Sequence, residues 1–151
     1  MVAVGKGGER VIKADDFFVD LLTTALGTDE ILREIRVPKP VGRFGHAYEK
    51  VRHPASGFAV VGVAVALQVG SGGACESAGV GITGVASKAY RAGAVEGALQ
   101  GQKLGEETIG AAAAHATDGI DANSDLYASE GYRRHLAEVY TRRAIQAAAR
   151  A

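Results

Sequence analysis

The amino-acid sequence predicts an α+β fold: an antiparallel sheet of three to four strands packed against about three helices. Two observations carry this reading. Strand-like segments precede residue 86 and helix-like segments follow it, and the connections between the strands are too short for parallel crossovers. The length supports it too, because 151 residues suit a compact domain. An apolar content of 47% excludes whole-chain disorder. With 6% aromatic residues and no Trp, the core must be built from Ala, Val, Leu and Ile, packed closely with many of the 21 glycines.

Taken in order, residues 1–13 read as a hairpin. Val2 and Val4 alternate, Gly5 to Gly8 turn, and Arg10 to Ile12 resume. This hairpin reads as having no core of its own and as the remnant of a preceding domain, with the domain proper at 14–151. Residues 14–30 predict a short helical turn around Phe17, Phe18 and Leu21, then a polar loop from Gly27 to Glu30. Ile31–Val37 alternates as a strand until Pro38 and Pro40 stop it. Phe44–Arg52 reads as the next strand. Phe58–Val69, rich in Val, reads as a third, and Gly70-Ser71-Gly72-Gly73 turns it into a fourth over Ala74–Val85. Together they predict an antiparallel meander. From Ser87 the period changes, and Ala89–Leu99, Glu106–His115 and Ser129–Ala149 read as helices. In the last, Tyr132, Leu136, Val139, Tyr140 and Ile145 recur at helical spacing, with Arg133, Arg134, Arg142 and Arg143 flanking them as a solvated face. Ser129 is placed to cap it.

Charge and cysteine content narrow the function classes. Seventeen Lys plus Arg against seventeen Asp plus Glu leave no net charge, so the basic footprint of a nucleic-acid protein is missing. One cysteine, Cys75, cannot form an internal disulfide. With four scattered histidines (His46, His53, His115 and His135) it does not supply the spacing of a zinc site. The apolar run Phe58–Leu67 is about half of the ~20 residues a membrane helix needs, and the N-terminus lacks a signal-peptide apolar core. The chain therefore reads as soluble and cytoplasmic, with no membrane and no nucleic acid among its partners.

Two stretches invite chemistry. Gly79-Val80-Gly81-Ile82-Thr83-Gly84 matches the G-x-G-x-x-G pattern. A dinucleotide site needs those glycines between a strand and a helix, whereas here they lie in a β-branched run after a hairpin. The competing reading is a strand thinned by glycine where a helix packs closely. The second stretch is Tyr48 to Ala59, which sets Lys50, Arg52-His53, a Pro54 turn and Ser56-Gly57 beside Phe58. Gly57 would let a ligand approach the backbone, Lys50 would supply positive charge and Phe58 a flat apolar face. An ordinary loop between strands explains the same residues equally well.

Several blocks occur in one order: Gly8-Glu9-Arg10, Ala14-Asp15-Asp16-Phe17-Phe18, Thr24-Ala25-Leu26 and Asp29 to Pro38. Ala47-Tyr48-Glu49-Lys50, His53 to Ala59, Ile82-Thr83-Gly84-Val85, Tyr132-Arg133-Arg134-His135-Leu136 and Arg142-Arg143-Ala144 follow. In this series the chain resembles the C-terminal domain of the FAD-binding medium subunit of molybdenum hydroxylases, the carbon monoxide dehydrogenase and xanthine dehydrogenase group, over residues 8–148. The resemblance implies a subunit whose FAD is held mainly by an N-terminal domain through Ala-Gly-Gly-x-Ser and Thr-x-Gly-Gly loops, neither of which occurs in this sequence. It implies a molybdenum-binding large subunit and an iron–sulfur small subunit as partners. It carries the family's isoalloxazine contacts onto Leu32, which follows Glu30-Ile31, onto Lys50 of the aromatic-x-Lys element, and onto Phe58 at the start of the long strand, with Ser56 and Gly57 beside them. Some relatives carry tyrosine at the Phe58 position, so a hydroxyl is missing here.

The implied function is to close the isoalloxazine pocket while electrons pass from iron–sulfur clusters to FAD, within an oxidoreductase whose bond-making chemistry lies elsewhere. The alternative is a non-catalytic module that assembles subunits and touches no cofactor. The isolated chain is expected to bind FAD weakly or not at all, and to leave an apolar face exposed where the N-terminal domain would pack.

Overall fold

The computed structural model describes residues 1–40 and 42–150. The chain folds as two compact units, Met1–Pro40 and the remainder.

The first unit holds strands β1 (Val2–Gly5) and β2 (Gly8–Val11), helix α1 (Ala14–Phe17), strands β3 (Phe18–Asp20) and β4 (Thr23–Thr24), and strand β5 (Ile31–Glu34). Lys6-Gly7 turns β1 into β2, with Val2 opposite Val11 and Gly5 opposite Gly8. Strand β5 pairs with the other edge of β1, Ala3 opposite Leu32, giving the order β2-β1-β5. Ile31–Val37 thus belongs to this small sheet and not to the meander expected for it. It stops as a strand at Glu34 because β1, its template, offers only four residues. The hairpin also has a small core: Ala3, Ile12 and Phe17 are buried together, with Met1, Ala25 and Leu26 against them. The helical turn ends at Phe17, since Phe18 is already extended (φ −89°, ψ 106°). Leu21 and Leu22 form the tip of the β3–β4 hairpin. The ion pair of Arg10 Nε with Glu30 Oε1 (2.6 Å), the bond from Arg10 Nη2 to the Ala25 carbonyl (2.6 Å) and that from Gly27 N–H to Glu30 Oε2 (2.6 Å) close the unit's polar side. Leu22, Ile31, Ile35 and Val37 are exposed.

The second unit contains the main sheet, β6 (Phe44–Arg52), β7 (Ala59–Val69), β8 (Cys75–Thr83) and β9 (Tyr90–Arg91), in the order β6-β7-β8-β9, all antiparallel. Helices α2 (Gly93–Leu99), α3 (Glu106–Ala113) and α4 (Glu130–Arg150) follow. Alternation decides which face is covered. Val61, Val63, Val65 and Leu67 of β7 and Val80 and Ile82 of β8 are buried together with Val95, Leu99, Ile109, Leu136 and Ile145 of the helices. Each such Val or Leu contributes about 1.5–3 kcal/mol. α4 lies across β6 and β7, α2 packs on β8, and α3 joins α2 and α4. The expected α+β architecture of one sheet against three helices is therefore present.

Particular boundaries shift. Helix α2 starts at Gly93 and not Ala89, because Tyr90 and Arg91 pair with Ile82 and Gly81 as strand β9 and the Ala92 N–H donates to the Val80 carbonyl (2.9 Å). In α4, Ser129 caps as expected, its Oγ accepting from the Tyr132 N–H (3.3 Å). The buried stripe, however, runs Arg133, Leu136, Ala137, Thr141, Ala144, Ile145 and Ala148, while Tyr132 is half exposed. Small residues face the sheet because helix and strand approach closely: a Cβ at Gly45 of β6 would overlap the Ala148 carbonyl.

The glycine motif lies in a strand. β8 runs unbroken through Gly79 and Gly81, opposite Ala66 and Ala64 of β7. A strand there removes the strand-to-helix turn a dinucleotide would need. Among the described residues no helix backs those two glycines: a Cβ at Gly81 would meet nothing within 4 Å, and one at Gly79 only the Ala66 Cβ of the neighbouring strand. Gly84 is the tight one. Its φ of +83° suits glycine, and a Cβ there would overlap the Val60 carbonyl oxygen.

Candidate functional site

The β6–β7 connection gathers four of the five residues singled out from the sequence. Lys50 lies near the end of β6, opposite Gly62 of β7. A register irregularity between Val51 and Arg52 then releases the chain into the loop 53–58. The loop is closed by main-chain bonds: the His53 N–H donates to the Phe58 carbonyl (2.7 Å) and the Gly57 N–H to the His53 carbonyl (2.8 Å). Gly57 turns with φ +71°, and a Cβ there would meet nothing within 4 Å. Ser56 Oγ accepts from the Phe58 N–H (3.3 Å), and Lys50 Nζ donates to the Gly57 carbonyl (3.1 Å). The lysine ammonium is thereby held over the loop with two further N–H donors to offer. Phe58 is 79% exposed. Leu32, the fifth residue, lies in β5 of the first unit, partly exposed beside β1.

Behind this loop stands machinery the sequence reading missed. His53 Nδ1 accepts from the N–H groups of both Ala55 (3.2 Å) and Ser56 (3.3 Å). Its ring packs on Tyr127, 3.8 Å between centroids. Tyr127 belongs to the segment before α4, where Asp125 Oδ1 accepts from the Tyr127 and Ala128 N–H groups (2.9 Å each). Asp125 Oδ2 pairs with Arg133 Nη2 at 2.5 Å. Arg133 Nη1 donates to the carbonyls of Val60 (2.8 Å) and Gly84 (2.7 Å). The amides of Ala128 and Tyr127, then Arg133, hold the Asp125 carboxyl below its ordinary range. Arg133, expected on a solvated face, is instead 6% exposed. The ends of β7 and β8 leave unpaired carbonyls beside α4, and a guanidinium carries enough donors to satisfy them. Arg134 is likewise engaged, with Glu130 (2.9 Å) and the Ile120 carbonyl (2.8 Å).

The assembly can offer an exposed aromatic face, a cation and an unobstructed stretch of main chain to a flat ligand with a polar edge. Among the described residues no group of three or more His, Cys, Asp or Glu is placed to hold a metal ion, and no helix is long and apolar enough to cross a membrane.

Comparison with known proteins gives this geometry a family. The family model for the CO dehydrogenase flavoprotein C-terminal domain matches residues 46–148. The carbon monoxide dehydrogenase medium chain of Afipia carboxidovorans is 34% identical over 144 residues, 95% of this chain and 50% of that one. A carbon monoxide dehydrogenase structure from Hydrogenophaga pseudoflava, lacking the Mo-pyranopterin moiety of its molybdenum cofactor, superposes with a TM-score of 0.91 at 35% identity, covering 97% of this chain and 51% of that one. Quinoline 2-oxidoreductase from Pseudomonas putida 86 gives a TM-score of 0.88 at 29% identity, covering 99% and 52%. The chain thus spans about half the length of the relatives it matches, and it belongs to the CO dehydrogenase flavoprotein C-terminal domain family.

Proposed function

We propose that this chain serves as the C-terminal domain of the flavoprotein medium subunit of a molybdenum hydroxylase, where it closes the isoalloxazine side of the FAD site and contacts partner subunits. The observation that carries the reading is the convergence of Lys50, Ser56, Gly57 and Phe58 on one hydrogen-bonded loop, with the Phe58 ring exposed. These residues fit part of a flavin's needs. Phe58 offers contact area to a flat ring, the open space over Gly57 admits close approach, and Lys50 offers positive charge to an electron-rich ring edge. Bound FAD would carry electrons between iron–sulfur clusters and an external acceptor. This chain's part is to exclude water, orient the ring and set the charge beside it, which are the protein's levers on such a cofactor.

The remaining parts of the proposal follow from the relatives. The complement is an N-terminal FAD-binding domain, a molybdenum-binding large subunit and an iron–sulfur small subunit, assembled in the cytoplasm. Residues 1–13 would continue the FAD-binding half and 14–151 form the C-terminal domain, a boundary that the β1–β5 pairing crosses. The test is Lys50→Ala in the complete subunit. A changed flavin reduction potential and electron-transfer rate support the reading, and unchanged values remove the role of Lys50. Titrating the isolated chain with FAD, followed by flavin fluorescence, is expected to give a Kd weaker than ~1 mM, about −4 kcal/mol. If neither the complete subunit's flavin affinity nor its spectrum responds to Lys50 and Phe58 substitutions, the assembly-module alternative replaces it.

A further inference from the structure

We infer that His53 is the positioning residue of the 53–58 loop, acting as a neutral imidazole with its proton on Nε2 and its Nδ1 free to accept. Two independent contacts carry this. Nδ1 faces two main-chain donors, the N–H groups of Ala55 (3.2 Å) and Ser56 (3.3 Å). A proton on that nitrogen would set donor against donor twice. The ring face is fixed from the other side by Tyr127, 3.8 Å away and tilted by 49°. Tyr127 is in turn held through its own N–H by Asp125, and Asp125 by the buried Arg133.

A line of contacts therefore runs from the core of α4 to a loop whose own residues are exposed. His53 is the link between the two. The loop cannot be ordered by burial, because Pro54 to Phe58 are all exposed. Its order rests on hydrogen bonds, and His53 takes part in four of the main-chain-directed ones: two through Nδ1, one through its N–H and one through its carbonyl. Protonating Nδ1 removes the first two and leaves the others. The loop then keeps its closure but loses the inner turn that sets Ser56 Oγ under the Phe58 N–H. The ionisable groups joined to His53 or its loop by these contacts are Tyr127 against the ring and Lys50 on the Gly57 carbonyl, with Asp125 and Arg133 behind Tyr127; β6 also carries His46, Tyr48, Glu49 and Arg52. Asp125 is engaged by Arg133 and by two N–H groups, and Lys50 by the Gly57 carbonyl. Among the groups that make these contacts, the imidazole is the one on which a proton would set a donor against the loop's own N–H groups.

The experiment is an NMR titration of the full chain, labelled with 15N. The imidazole of His53 is expected in the Nε2–H form at neutral pH. The Ala55 and Ser56 amide signals should shift together with the imidazole as it titrates, and their exchange, corrected for the pH dependence of exchange itself, should rise roughly 2- to 12-fold for each bond lost. His53→Asn supplies an amide oxygen where Nδ1 stood and cannot titrate, so both amides should stay protected across the same range. His53→Ala should leave them unprotected throughout. A proton found on Nδ1 at neutral pH, or Ala55 and Ser56 signals that ignore the imidazole, overturns the inference, and so does His53→Asn behaving as His53→Ala. The wild-type and Asn measurements decide the matter even if the Ala variant does not fold. The bearing of this loop on FAD rests on the function proposed above. In the complete subunit, loop signals that follow His53 as expected but do not move on adding FAD uphold the positioning role and refute the flavin contact.

Discussion

Replacing Arg133 by methionine keeps most of the aliphatic stem and removes the guanidinium. The side chain is almost fully buried, so the stem's packing is largely retained and the change isolates the polar head. Two carbonyls lose their donor: that of Val60 in a buried setting and that of Gly84 in a partly buried one. An orphaned buried carbonyl costs about 1–3 kcal/mol. Asp125 is half exposed on its side chain and returns to water at little cost, and relief of the guanidinium's own desolvation offsets part of the loss. The net expectation is a destabilisation of about 2–4 kcal/mol. Arg142→Ala, on the exposed side of the same helix, should stay within about 0.5 kcal/mol. Urea unfolding followed by far-UV circular dichroism reads both. With a slope of about 2 kcal/mol per molar, the middle of the usual range, the Met variant's midpoint should fall by roughly 1–2 M while that of Arg142→Ala hardly moves. A Met variant that is natively folded with a midpoint within about 0.3 M of wild type, on that same slope, would falsify the claim that Arg133 satisfies those carbonyls.

Three further outcomes follow from other contacts. Glu30 is held down to about 2, chiefly by Arg10 and then by the Gly27 N–H. Because its folded pKa lies below the ordinary value of ~4.3, it stabilises the first unit above that value, and this support is lost as pH falls toward about 2. The Gly27 and Ala25 amide signals should therefore report acid loosening in that window, and Glu30→Gln should flatten the dependence. Gly84→Ala combines a left-handed φ with overlap of the Val60 carbonyl, and should cost about 2–5 kcal/mol; a melting temperature matching wild type would contradict this. Phe58→Ala, at a residue 79% exposed, should leave stability within about 0.5 kcal/mol yet weaken FAD retention by the complete subunit. Equal retention would remove Phe58 from the proposed contact.

What could be read in advance was what local pattern encodes. Val61, Val63, Val65 and Leu67 repeat at the period of a strand with one buried face, so β7 and its hairpin into β8 were legible. Ser129 marked the start of α4. The features missed depend on partners far away in sequence. β9 is two residues long and exists only because Gly81 and Ile82 accept it as a neighbour. β5 pairs with β1 across the whole first unit, which no window around Ile31 reveals. In the sequence Arg133 has the pattern of a solvated residue, because arginine on a helix flank usually is one. Its burial is set by the Val60 carbonyl, 73 residues away. At the candidate site the same division holds. Lys50, Gly57 and Phe58 were visible as a local cluster, while Tyr127 and Asp125, which hold the loop from behind, carried no signal beyond an aromatic and an acid in a polar stretch.

This division bears on which function the chain performs. An assembly module needs exposed area, and it gains little from fixing the turn of one exposed loop. Here a loop whose residues Pro54 to Phe58 are exposed is backed by a relay ending in a guanidinium whose Nη1 and Nη2 are engaged while its buried Nε has no partner, and burying a charge is itself costly. Contact with a rigid, flat ligand does need such fixing, because a ring wall misplaced by about 1 Å loses its effect on the reacting centre. The loop 53–58 and its support are therefore better accounted for by a ligand that demands position than by a partner surface that demands only area. The Gly70–Gly73 turn is closed by the Gly70 N–H on the Ala74 carbonyl and the Gly73 N–H on the Gly70 carbonyl, which leaves Ser71 and Gly72 as its reference amides; if hydrogen exchange shows Ala55 and Ser56 no better protected than those two, the loop is not fixed and this preference for the flavin reading fails.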